Sequence, residues 1–188
     1  MKKIILAFAA IVLYAACVSD TLEDLTTYPS EEDFQRFDTL AFFLNDLLWI
    51  PFGYSRAFKG WSRNGLETHH SSSADGLRRV HLSATMAYRK EGQQTFRQNF
   101  SLRMDGLSAA PARIALDSAG FRAMTIKDVH NGRTFASAPQ EPLIVEIVVF
   151  DTLRRRIEGI FEGRLFETET ADPGPPVEIR EGRFSMSF

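Results

Sequence analysis

The sequence predicts an all-β fold, an antiparallel β-sandwich or calycin-like β-barrel, and three observations carry that reading. Val80, Leu82, Ala84, Met86 and Tyr88 fall on one face while His81, Ser83, Thr85 and Ala87 fall on the other, the period of a half-buried strand. Further short apolar runs are separated by turn residues such as Asn131-Gly132, the pattern of a sandwich or barrel. No stretch beyond the N-terminal region has a helical period; the alanine-rich Leu107 to Ala119 has room for a turn or two of helix, but Pro111 sits inside it.

From the N-terminus, Met1-Lys2-Lys3 precedes thirteen uncharged residues, Ile4 to Ala16, and then Cys17. This is the layout of a secretory signal peptide. As a helix the run would reach about 20 Å, short of a hydrocarbon core roughly 30 Å thick. Residues 17–35 form an acidic tether, with Asp20, Glu23, Asp24, Glu31, Glu32 and Asp33 and no base before Arg36, a composition that favours a solvated linker. A single all-β domain is expected over residues 36–188.

Within that domain, Thr39 to Leu44 and Leu47 to Phe52 flank Asn45-Asp46, a two-residue connection suited to a hairpin. The alternating run at Val80 continues through an Arg89-Lys90-Glu91-Gly92 turn into a second run carrying Phe96, Phe100 and Leu102. Strands are then expected at Ile114–Leu116, Phe121–Ile126, Leu143–Phe150, Ile157–Phe166, Val177–Ile179 and Arg183–Phe188. Asp172-Pro173-Gly174-Pro175-Pro176 reads as a rigid loop between two of the late strands. A C-terminal face of Phe184, Met186 and Phe188 is also the kind of signal that ends outer-membrane barrels. Spanning strands, however, need about nine to eleven residues, and Gly182 is expected to interrupt this one.

Composition narrows the chemistry. The chain has 188 residues, one cysteine and a formal charge of -2, which excludes an internal disulfide framework and multi-cysteine metal sites and gives no reason to expect nucleic acid. No metal and no cofactor is expected. His69-His70 with Ser71-Ser72-Ser73 lies in a polar stretch, Asn64 to Gly76, that reads as an exposed loop without a third ligand. Glu158 and Glu162 share a strand face about 13 Å apart, too far for a glycosidase pair. Arg154-Arg155-Arg156 and Arg78-Arg79 could hold an anion, although a solvated turn accounts for the triple. Tyr54, Phe58 and Trp61 fall in a Gly53 to Gly65 stretch that reads as a loop, and they are the candidate contacts for a ligand or partner.

Ala15-Ala16-Cys17, preceded by Leu13-Tyr14, resembles the lipobox of bacterial lipoprotein precursors, with Tyr14 where leucine is usual. The resemblance implies acylation of Cys17 and a membrane anchor through its acyl chains. Acidic residues soon after Cys17 resemble the export signal of Bacteroidota-type surface lipoproteins, which tilts the expectation toward the outward face of the outer membrane rather than the periplasmic one. Phe43 to Trp49, together with Ile147 to Gly163 and Ile179 to Phe184, resembles the opening hairpin and closing strands of small Bacteroidota-type outer-membrane lipoproteins of unknown function. There the closing strands read I-x-G-x-F, then I-x-x-G-x-F. That resemblance implies an all-β lipoprotein and no catalytic residue. The function expected is a lipid-anchored, non-catalytic binding or structural module of the envelope, not an enzyme, meeting an envelope protein, a glycan or an apolar ligand. The alternative is a calycin-like carrier of a small apolar ligand, and interior volume separates the two.

Overall fold

The computed structural model describes residues 40–52, 54–57, 60–63, 65–72, 77–89, 95–118, 121–168 and 170–188. The fold is all-β, with no helix among the described residues. One half of the main sheet contains β1 (Leu40–Leu44), β2 (Leu47–Trp49), β8 (Ala112–Leu116), β11 (Leu143–Asp151), β12 (Arg156–Thr168) and β13 (Val177–Ser187). The other contains β5 (Leu66–Ser72), β6 (Arg78–Arg89), β7 (Thr95–Leu107), β9 (Ala123–Asp128) and β10 (Arg133–Ala136). β3 (Tyr54–Ala57) and β4 (Gly60–Arg63) form a separate two-stranded hairpin.

The eleven strands run in the order β2-β1-β13-β12-β10-β9-β7-β6-β5, with β11 also on β12 and β8 on β11. Every ladder between them is antiparallel. β12 joins the halves because it is long: its first part pairs with β11 from Arg156 to Glu162, and its last residues, Phe166 to Thr168, pair with β10. Gly163 stands at the change of partner with φ of 146°, and a Cβ there would lie 3.1 Å from the Leu143 backbone. Just past β2, Phe52 donates to the Thr85 carbonyl and accepts from the Ala87 amide. That contact brings the start of the sheet back to β6 and curls it on itself.

The turns have local causes. Asn45 takes a left-handed φ of 53° in the first hairpin, which asparagine tolerates better than most residues. Asp128 accepts from the amides of His130 and Asn131, and Asp151 does the same for Leu153 and Arg154. An aspartate at the end of a strand therefore closes both the β9–β10 and the β11–β12 connections.

Between the halves, alternate side chains meet. Phe42 stacks on Trp49 at 4.9 Å and lies 5.6 Å from both Phe100 and Phe161, while Phe161 continues to Phe184 at 6.3 Å. The buried Trp49 Nε1 donates to Gln98 Oε1 at 3.0 Å, so the one polar atom of the indole is satisfied. β1 reads as a continuous apolar run because both its faces are covered. Leu40, Phe42 and Leu44 enter the main core, and Ala41 packs with Leu48 and Ile50 in a second cluster.

The closing motif has a steric explanation. Gly159 pairs with Phe184, and Phe161 with Gly182. A Cβ at Gly159 would sit 2.7 Å from the Phe184 ring, and one at Gly182 would sit 2.6 Å from the Phe161 ring. Each phenylalanine lies over the glycine of the neighbouring strand, as in aromatic rescue of sheet glycines. Gly182 therefore does not end a strand. Val177–Ile179 and Arg183–Phe188, expected as separate strands, are the two parts of β13, joined through a bulge in which Glu181 has φ of 54°. One extra residue there shifts the register against both β1 and β12.

Other expectations are also corrected. The described residues of Leu107 to Ala119 hold no helical turn, and the strand expected at Ile114–Leu116 is present as β8, starting two residues earlier, with Ile114 and Leu116 buried. The Gly53 to Gly65 stretch contains the β3–β4 hairpin. Within Asn64 to Gly76, residues Leu66–Ser72 form a strand instead of a loop. Its inward positions, Leu66, Thr68 and His70, include two polar residues, so the apolar alternation that marks a strand is missing. They are held by specific contacts: Thr68 donates to Met186 Sδ at 2.8 Å, and the His70 ring lies tilted against Phe188 with centroids 4.6 Å apart.

Candidate functional site

Of the residues singled out in the sequence, Cys17 and Phe58 lie outside the described residues. Tyr54 and Trp61 fall on β3 and β4, where Tyr54 pairs with Arg63 and Arg56 with Trp61.

Strand geometry separates Glu158 and Glu162 along β12, as expected. Glu158 is half-buried and engages Arg156 and Ser185, whereas Glu162 is exposed. Arg154 and Arg155 occupy the turn before β12, and Arg154 reaches Asp151 at 3.8 Å.

A groove of about 630 Å³ runs across the outer faces of β11, β12 and β13. Ile144 and the half-exposed Ile160 form its floor. Its walls are ion pairs: Arg113 with Glu146 at 3.8 Å, Arg164 with Glu141 at 3.4 Å, and Arg180 with Glu178 at 3.7 Å. Such exposed pairs each add about 0–1 kcal/mol, so the groove is shaped by the bulged strands more than by its charges. It presents fixed donors and acceptors of both signs around a small apolar strip.

The outer face of β5, β6 and β7 is different. His69 pairs with His81, and His81 with Arg103, so three nitrogen-bearing side chains stand in one row across three strands. His81 Nε2 is hydrogen-bonded to Ser101 Oγ at 2.9 Å. A serine beside a histidine invites a nucleophile and base assignment. The surroundings oppose it, because burial first, then the neighbouring His69 and Arg103, hold the His81 imidazole below its ordinary range. A base in this role must become an imidazolium, and a triad supplies an orienting carboxylate for it; here the row supplies the Arg103 guanidinium instead. Among the described residues, no three His, Cys, Asp or Glu side chains gather as a metal site requires.

The row was hidden in the sequence by the loop reading of Asn64 to Gly76. One signal could have exposed it: Asp75-Gly76 is a hairpin dipeptide, and a two-residue turn centred there places residue 69 opposite residue 82, one position from its observed partner His81. Compared with known proteins, the chain matches no family description, no curated protein and no solved structure.

Proposed function

We propose that this chain is a lipid-anchored envelope lipoprotein whose all-β domain is a non-catalytic binding or structural module. The observation that carries the reading is the order of its N-terminal residues: two lysines, an uncharged run from Ile4, then Ala15-Ala16-Cys17. A signal peptide explains the run, and acylation gives the lone cysteine a role. Two or more acyl chains provide a durable anchor where one is marginal, and the acidic residues after Cys17 set the domain off from the bilayer. The outer membrane is the expected site, with the outward face favoured by those acids.

The packing supports a module that works from its surface. Phe42, Trp49, Phe100 and Phe161 occupy the space between the two halves with ring centroids 4.9–6.3 Å apart, where a calycin-like carrier would hold an apolar ligand. The outer groove is walled by arginine and glutamate, which suits a polar partner such as a protein segment or a glycan better than a hydrocarbon. Replacing Cys17 by serine tests the anchor. In cells fed a labelled fatty acid, the parent chain should be labelled, cleaved and membrane-bound, while C17S should remain unlabelled precursor. Equal labelling of the two would remove the reading.

A further inference from the structure

The polar row on β5 to β7 carries more than a solvated surface needs. Arg79 is matched by Asp105, Nε to Oδ1 at 3.2 Å. Arg103 has no ion pair within 4.0 Å among the described residues, and its buried Nε finds no hydrogen-bond partner there. Phe121 leans against both guanidinium groups, 5.8 Å from Arg79 and 5.9 Å from Arg103, and meets the His81 ring edge-on at 6.5 Å. The ring limits water on one side of Arg103, so an anion there would meet a partly desolvated cation.

We propose that this face binds a tetrahedral oxyanion, such as the phosphate or sulfate group of a ligand, held by His69, His81, Ser101 and Arg103. The site combines one fixed charge with two side chains that can acquire charge. Strands about 4.8 Å apart set His69, His81 and Arg103 side by side over about 10 Å, a span that one such group bridges when the long Arg103 side chain turns toward the two rings. Ser101 lies in the adjacent row and supplies a hydroxyl beside His81. The surrounding charged groups are Glu67 on β5, Arg79 on β6, Asp105 on β7, and Asp117 and Arg122 on the connection that carries Phe121. Without an anion, burial first, and then the neighbouring His69 and Arg103, disfavour the His81 proton, the charged neighbours by repulsion. With one bound, that repulsion is offset and protonation adds a charge-assisted hydrogen bond. Binding therefore strengthens as pH falls through the histidine range.

The experiment uses the full chain in detergent, histidine-labelled for NMR, with His81 titrated in sulfate and in sodium chloride at matched ionic strength. Sulfate keeps its charge across this range, so only the protein titrates. Sulfate should raise the His81 midpoint, and its affinity should be about tenfold greater below the histidine range than above it. Arg103→Gln should abolish the response; if that variant loses the native spectrum, Ser101→Ala and His69→Gln should each weaken it. A phenyl phosphate arm should reproduce the sulfate result if the site takes an ester-borne group as well as the free ion. An equal shift in chloride, or an undiminished response in the folded variants, would overturn the assignment.

Discussion

The inner face of β12 and β13 and the outer face of β5 to β7 obey the same two-residue alternation and use it in opposite ways. Inside, Phe161 lies over Gly182 and Phe184 over Gly159, so the fit is a matter of shape. Outside, His69, His81 and Arg103 stand in register with Phe121 against the latter two, and what they share is the capacity for positive charge. A sheet can therefore keep its stability on one surface and its recognition on another, and substitutions on the two should fail differently.

The largest effect is expected at Phe161. Its truncation to alanine removes contacts with Phe42, Phe100 and Phe184 and uncovers Gly182, and should cost about 3–5 kcal/mol in urea unfolding. Gly182→Ala reverses the fault by forcing a Cβ to within 2.5 Å of the Phe161 carbonyl oxygen. Overpacking of this kind costs about 1–3 kcal/mol, so its urea midpoint should fall between those of the parent and the Phe161 variant. If Gly182→Ala were silent, the interlock would not be what fixes these strands.

A smaller effect comes from pH. Burial, followed by neighbouring positive charge, lowers both His81 and His70, the latter facing Arg78 and Arg155. The unfolded chain then binds more protons in the window between the lowered folded values and the ordinary histidine value of about 6.5. Stability should therefore fall as pH drops through that window and level off below it. Unfolding curves on either side of the window check the sign, and His81→Gln should flatten the slope.

How much of this was legible in the sequence follows the same division. Apolar alternation announced β6, β7, β11 and β12 to within a few residues, because the inward positions of these strands are largely apolar. The I-x-G-x-F motif was visible as a pattern, but its cause was not, since the covering phenylalanine belongs to the neighbouring strand. β5 reads as a loop because Thr68 and His70 point inward, and the period that betrays a strand depends on apolar residues. Arg103 carried no signal of its own: it becomes part of a row only when β5, β6 and β7 are laid side by side. Tyr54 and Trp61 read as aromatic residues in a loop, and their place on paired strands emerges only from the β3–β4 register.

The separation of shape from charge is tested most directly by urea unfolding of the parent chain and Arg103→Gln at a pH below the histidine range, each with and without sulfate. Without sulfate the two midpoints should lie within about 1 kcal/mol of each other, the scale of a lost cation–π contact. With sulfate the parent should gain stability by mass action, and the variant should gain no more than chloride provides. A variant that unfolds as readily as Gly182→Ala without sulfate, or that gains as much as the parent with it, would contradict the division.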